Sequence, residues 1–582
     1  MNGSPSTRRG ADTRVESRLF DGQVAKKPRC RCLAICAGVG HTVAMPLSRR
    51  TFLQATPLAL AAYIPGCGDD ATSIGGPFQH GVASGDPLPT AVVIWTRVSV
   101  DGDAPESVPV EWMVASDPEL TLEVASGVVE TSADVDHTVK VDVTGLEPGT
   151  TYYYRFSALG ADSLVARTRT ARDGATERLR FALVSCSNYP YGFFNAYAAI
   201  ARRADLDAVI HLGDYIYEYA EGAYGTGAPL GRAPDPATEV LTLEDYRRRH
   251  ALYKTDPDLQ EVHRQHPFIA VWDDHEVAND AWREGAENHG ADEGSFAERK
   301  AAAIRAYLEW MPIRIDPASA GDVIYRTFSF GDLADLVMLD TRHAGRDQQV
   351  ADACDAATIT DPDRQLLGAT QEAWLTGELT RSVARGARWR LIGQQVMMGQ
   401  LVNVLMPGNC VFSTDQWDGY AAARARVLST LTQNAVENVV VLTGDIHSSW
   451  GNDITLAPFD AAAYDPVSGS GSVAVEIVTP AVTSPGIDDP LLAPQLAAAV
   501  LDSHPHVKYV ELQRRGYTLL DVTAERVQAE WYHVATIVER RADEELAATL
   551  EVLSGTNHLT PAAAASAVRT DAAPLAPPGT PV

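Results

Sequence analysis

The chain is 582 residues long, more than a single hydrophobic core organises, so two domains and a processed end are expected. Its 45% hydrophobic and 21% charged residues are ordinary for a globular protein. A formal net charge of −28 argues against nucleic acid as a partner, because a phosphate backbone needs a basic face; solubility and carboxylates gathered round cations remain as reasons for the acidity.

The amino end reads as an address. Ser48-Arg49-Arg50-Thr51-Phe52-Leu53 precedes the apolar run from Ala55 to Ile64, the pattern of a twin-arginine (Tat) export signal. That run falls well short of the ~20 residues a spanning helix needs. Residues 1–66 are taken as leader, with Met45 as a candidate start, and the Tat translocase as a partner during export. Ile64-Pro65-Gly66-Cys67 is similar to a lipoprotein cleavage box, which makes Cys67 a candidate lipid anchor. Cys354 and Cys410 lie in loop-like sequence; a disulfide between them would suit an oxidising compartment, but spacing alone does not decide it.

From residue 75 to 172 the text turns β-rich. Thr90–Val98 and Val108–Val114 are β-branched and aromatic strand candidates separated by turn residues, which suggests a small sandwich. Gly145-Leu146-Glu147-Pro148-Gly149 before Thr151–Phe156 is similar to a fibronectin type III or immunoglobulin-like strand and turn. No catalytic cluster occurs here, and His80 is read as structural.

The chemistry begins with the apolar strand Arg180–Val184, which delivers Ser185-Cys186-Ser187-Asn188. Cys186 is either a buried small hydrophobe or a thiolate ligand. A helical stretch follows, then the strand Ala208–Leu212 and Gly213-Asp214-Tyr215-Ile216-Tyr217-Glu218. This β-α-β unit places Cys186 and Asp214 at one sheet edge, where open α/β sheets bind ligands. Residues 220–235 are Gly/Pro-rich and form a loop beside the site. Leu243–Tyr253 is helical, with Arg247, Arg248 and Arg249 read as a solvated face.

A third strand, Phe268–Trp272, ends in Asp273-Asp274-His275-Glu276, followed by Asn279. Four ionisable groups in succession behind a buried strand repel one another unless a cation or solvent relieves them. Arg299 and Lys300 open the next helix, and a strand at 333–339 leads into Asp340-Thr341-Arg342. The last strand, Asn438–Thr443, ends in Gly444-Asp445-Ile446-His447-Ser448-Ser449. Asp445 and His447 alternate on what reads as extended chain, so both should face one side. The Ala/Pro/Thr-rich tail, residues 555–582, is expected to be disordered.

Cys186, Asp214-x-x-Tyr217, Asp273-Asp274-His275-Glu276 and Asp445-x-His447 in this order resemble the calcineurin-like metallophosphoesterases, and the Asp-x-x-Tyr element resembles purple acid phosphatases. Gly-Asp-Tyr-Ile-Tyr-Glu, Trp-Asp-Asp-His-Glu, Leu-Asp-Thr-Arg and Gly-Asp-Ile-His-Ser-Ser look like the PhoD-type alkaline phosphatases over roughly residues 76–535. The resemblance implies an α/β fold, an αββα sandwich over residues 178–540 behind the β domain. It implies Fe³⁺ held by Cys186, Asp214, Tyr217 and His447 with Asp445 nearby, and Ca²⁺ between Asp214, Asp274 and Asn279. His275 is the candidate proton donor or phosphate clamp. Arg342, Lys300, Arg299 and Asn188 are candidate phosphate contacts.

The favoured expectation is an exported hydrolase of phosphate monoesters and diesters, small or polymeric. A diesterase confined to wall teichoic acid or phospholipid head groups and a non-catalytic extracellular binding protein are the alternatives.

Overall fold

A computed structural model describes residues 76–100, 106–315, 323–403 and 410–579. The twin-arginine segment, Met45 and Cys67 lie outside the described residues.

Two large sheets face each other. The first runs, edge to edge, through Leu559–Pro561, Glu544–Leu553, Arg526–Val534, Gly516–Thr523, Arg178–Val184, Ala208–His211, Pro267–Ala270, Val82–Leu88, Ala91–Arg97 and Thr138–Thr144. The second runs through Arg326–Phe330, Ala334–Met338, Trp389–Gly393, Val439–Thr443, Ser472–Val478, Ser449–Thr455 and Val507–Glu511. The apolar runs Arg178–Val184, Ala208–His211 and Pro267–Ala270 pair in parallel, as strands buried on both faces do. Their side chains Phe181, Val209 and Phe268 share one core with Leu336, Leu391 and Val440 of the second sheet. Helices Asn195–Ala201, Leu243–Lys254, Pro257–Gln265 and Phe296–Trp310 cover the first sheet. Gly368–Arg385 and Ala421–Gln433 cover the second, packing Leu375, Leu379, Val427 and Leu428 against Val337, Ile392 and Val441. These are the layers of an αββα sandwich.

The amino-terminal β region has its own core, in which Val92, Ile94 and Val143 meet Val110, Tyr154 and Phe156 of a third sheet. Three of its strands nevertheless extend the first large sheet, because Val82–Leu88 pairs in parallel with Pro267–Ala270. Lys254 and Trp310 of the helical layer press on Trp95 from this region. His80 packs edge-on against Trp310, in keeping with a structural role.

Two expectations fail. The tail past residue 555 is placed through Gly579: Leu559–Pro561 adds a strand, Tyr153 donates to the carbonyl of Pro574 (2.7 Å), and Gln265 Oε1 accepts from Ala576 N (2.8 Å). Composition spoke for disorder because this segment has little apolar surface of its own; its backbone instead finds partners on the finished fold. Arg249 is no solvated residue. Only 1% exposed, it donates to the carbonyls of Tyr217, Tyr219, Asp235, Pro236 and Thr238.

Candidate metal centre

Four strand ends converge between the two sheets. Cys186, Asp214, Asp445 and His447 all adopt left-handed backbone, with φ of 61°, 57°, 62° and 54°. For residues other than glycine this conformation costs roughly 1–3 kcal/mol each and persists where the surrounding fold imposes it. The Asp-x-His pair is therefore a tight turn, not the alternating extended segment expected. Gly213 is required beside Asp214: a Cβ there would lie 2.4 Å from the Cβ of Asp273, so the second and third strand ends could not approach.

Cys186, Asp214 and His447 offer ligand atoms within 4.8 Å of one another, and so do Asp214, Asp274 and His275. Asp214 belongs to both groups. Tyr217 Oη donates to Asp214 Oδ2 (2.8 Å), lies 3.2 Å from His447 Nε2 and accepts from Ser484 Oγ (2.6 Å). His447 Nδ1 sits 2.8 Å from the carbonyl of Pro485, which holds the ring so that Nε2 turns toward Asp214. A ligating imidazole is commonly oriented by such a backbone carbonyl.

Electrostatics fit cations here. Asp214 Oδ1 and Asp273 Oδ2 are buried without a hydrogen-bond partner. Burial pushes the Cys186 thiol up, and the Asp214 carboxylate adds to it; Tyr217 is raised for the same two reasons. Thiolate and phenolate form in such a place only beside a positive ion. Burial also raises Asp214, but His275 and His447 outweigh it and hold this carboxyl at about 2. The residues present thus suit one cation with sulfur, phenolate, imidazole and carboxylate donors and a second with carboxylates.

A third group, Asp273, Asp274 and Asp445, already has its cation. Arg342, fully buried, reaches Asp273 Oδ1 (2.5 Å), Asp445 Oδ1 (2.6 Å), Asp415 Oδ1 (2.8 Å) and Asp274 Oδ1 (3.7 Å). It was expected to touch phosphate. Its donors instead face protein carboxylates, because burial leaves a guanidinium no other compensation. Asp445 is equally engaged, its second oxygen accepting from Gln416 Nε2 (2.6 Å).

Other candidates are displaced. Arg299 is 2% exposed and bonds Tyr246 Oη, the carbonyl of Asn288 and Glu239. Lys300 reaches the carbonyls of His343 (3.1 Å) and Arg283 (3.4 Å). Both sit on the helix Phe296–Trp310, and the donors named face these protein groups. Asn279 is not displaced: it donates through Nδ2 to Glu287 (3.3 Å), and its amide oxygen is the atom a cation would take. Asn188 stays near, donating to the carbonyl of Tyr224 (3.0 Å), with its own Oδ1 buried and unpartnered.

Sequence reasoning missed three residues. Glu218 accepts from His275 Nδ1 (2.8 Å), from the backbone N–H of Asn279 (2.8 Å) and from Asn288 Nδ2 (2.8 Å). Burial lowers the His275 pKa, but the carboxylates of Asp274, Asp214 and Glu218 together raise it well above the usual histidine range. Glu276 accepts from the N–H groups of Asp214 (3.2 Å), Tyr215 (2.5 Å) and Asp273 (2.7 Å), tying two strand ends together. Asp415 receives Arg342 and Arg346. Glu218 and Glu276 were visible as carboxylates beside the motifs; Asp415 gave no local signal.

Comparisons agree with the geometry. Residues 66–172 match the family model of the PhoD-like phosphatase N-terminal domain, and residues 181–531 that of the PhoD-like phosphatase. Alkaline phosphatase D of Bacillus subtilis (strain 168) is 36% identical over 474 residues, 80% of this chain and 78% of that one. A solved structure of PhoD is similar with a TM-score of 0.76 at 34% identity, covering 85% of this chain and 93% of the other.

Proposed function

The chain belongs to the PhoD-like phosphatase family and is a phosphoric ester hydrolase of the alkaline phosphatase type, and on that premise we propose that it cleaves phosphate monoesters and diesters with water at a pair of cations. The observation that carries this is Asp214, a buried carboxylate common to two ligand groups with one oxygen left unpartnered. Cys186, Asp214, Tyr217 and His447 would hold Fe³⁺, for which phenolate, thiolate and carboxylate are apt donors. Asp274, Asn279 and the shared Asp214 would hold Ca²⁺, an oxygen-seeking ion. When bound, such cations polarise phosphoryl oxygens and lower the pKa of water.

The chain's own residues do the rest. His275 gives its proton to the departing alcohol, with Glu218 fixing its ring through Nδ1. Arg342 keeps Asp273 and Asp445 from repelling one another, so the carboxylates stay where the cations need them. Asn188 spends Nδ2 on the carbonyl of Tyr224 and so holds the loop beside the site rather than a phosphate.

Export rests on Arg49-Arg50 and the apolar run after it, with Cys67 as lipid anchor and the Tat translocase as carrier. The Cys354–Cys410 disulfide supports an oxidising destination. Among the described residues no helix is long and apolar enough to cross a membrane. Elemental analysis of protein purified without added metal, paired with Asp214→Asn, tests the catalytic account: the variant should lose metal and activity together. Full activity in Asp214→Asn would refute it. Failure to incorporate labelled fatty acid at Cys67 would end the lipid anchor.

A further inference from the structure

Resting on that reading of the site, we propose that Tyr219 and Tyr224 form a subsite that takes the alcohol portion of the substrate and favours alcohols bearing a flat ring. Both side chains are half-buried, so an edge or face of each remains open. Their rings lie 5.2 Å apart and stand 5.4 and 6.1 Å from the ring of His275, the group placed to protonate the departing oxygen. Tyr224 is close to parallel with His275, at 19°, and with Tyr217, at 28°. Its hydroxyl lies 3.3 Å from His447 Nδ1. An aromatic wall therefore starts beside the proton donor and leads outward, within the reach of a ring joined to phosphorus through one or two atoms.

The wall is held in place before any ligand arrives. Arg249 gathers carbonyls from both ends of the loop, among them those of Tyr217, Tyr219 (3.1 Å) and Pro236 (2.8 Å). The carbonyl of Tyr224 accepts from Asn188 Nδ2 (3.0 Å). The Arg249 guanidinium is spent on carbonyls, so this side of the site presents π-faces and hydroxyls and not a fixed cation. A neutral ring gains from stacking there, whereas a second anionic group gains nothing.

The experiment compares benzyl phosphate with butyl phosphate, and their methyl diesters, by release of the alcohol; the two alcohols are similar in acidity and differ in the ring. The native enzyme should favour the benzyl esters in kcat/KM by about tenfold or more. Tyr219→Leu and Tyr224→Leu should bring that ratio to within about twofold of unity, while Tyr224→Phe, which keeps the ring, should preserve it. A native ratio near one, or a ratio unchanged in both leucine variants, overturns the subsite and leaves the hydrolytic reading standing. No cleavage of either ester by the metal-loaded native enzyme overturns both.

Discussion

Glu218 Oε2 lies 2.8 Å from Nδ1 of His275, and both residues are buried. The other Glu218 oxygen is held by Asn279 N and Asn288 Nδ2, so the carboxylate cannot swing away from the imidazole. On the proposed reading, a ring fixed in this manner serves as the acid for the leaving oxygen. Removing it should matter most where the leaving group most needs a proton. His275→Asn should slow alkyl phosphates by about 10²-fold or more and p-nitrophenyl phosphate, whose phenolate leaves unaided, by less than about tenfold. Glu218→Gln should show the same pattern more weakly. Equal losses on both substrates would mean that His275 binds cation or phosphate and does not donate.

Glu276 makes a different kind of contribution. Three backbone N–H groups, from Asp214, Tyr215 and Asp273, end on this one buried carboxylate. It fixes the spacing between the two strand ends that carry Asp214 and Asp273, and so between the ligands proposed there. In Glu276→Gln an amide NH₂ must meet a backbone donor, and one strand end has to shift. Metal affinity should fall about 10–100-fold, as for other residues that orient ligands. Metal titration of the apo-protein followed by activity at saturating metal checks this: weaker loading with recovered turnover is the expected result, and unchanged loading would remove the positioning role.

The strand ends were legible because each is a local pattern, an apolar run of parallel-sheet type stopped by ionisable residues. Cys186, Asp214, Tyr217, Asp274 and His447 come together as that pattern implies. What stayed hidden depends on distant partners. Arg249 reads as one of three surface arginines until the carbonyls of Tyr217 and Thr238 close round it. Arg342 resembles a phosphate ligand until Asp415, 73 residues further on, is seen to claim it. The contact of Tyr153 with Pro574 spans 421 residues, and no composition of the tail foretells it. The left-handed turn at Asp445 and His447 was missed for another reason: the sequence shows no glycine at either position, and only the enclosing fold imposes the conformation.

Lys254 gives the fold a pH dependence apart from the metal centre. Burial pushes its pKa from 10.5 down to about 7. The groups around it are His263, whose Nε2 is 3.3 Å away, the rings of Trp95 and Tyr215, and His80, His211 and His250. His80, His211 and His250 are pushed down to about 3 by burial, and His263 is well below its usual value, so all four are neutral above pH 7. Between pH 7 and 10.5 the unfolded chain binds a proton here that the folded chain lacks. The Lys254 contribution to stability therefore rises with pH across that window, by at most about 1.4 kcal/mol per unit. Buried acids such as Asp418, raised to about 7 by burial, oppose this below neutrality, so the difference between native protein and Lys254→Met is the clean measure. The variant should melt higher than native at about pH 6.5, and its advantage should shrink steadily toward pH 10.5. A pH-independent difference would show that the ammonium is not desolvated.

Cys354 and Cys410 are joined in a disulfide across a separation of 56 residues. The bridge lies between Arg342 and Asp415 in the chain, and so closes the segment that must fold back to bring these two together at 2.8 Å. Asp415 is also gripped by Arg346 (2.5 Å) and Gln349 (2.7 Å), contacts that do not need the sulfur bridge. Loss of the disulfide should therefore lower stability without rearranging the carboxylates. Loop-closure entropy sets the effect at up to about 4 kcal/mol. The Cys354→Ser/Cys410→Ser protein should melt several degrees lower, with activity of the folded protein within about twofold of native. The same reasoning bears on export. A protein carried across the membrane already folded must reach its final shape in a reducing cytoplasm, and close this bridge afterwards. Thiol titration of denatured protein from the two sides should find two more thiols in the cytoplasmic precursor, counted over Cys186, Cys354 and Cys410. Equal counts with the bridge open on both sides would remove the disulfide as support for an oxidising destination.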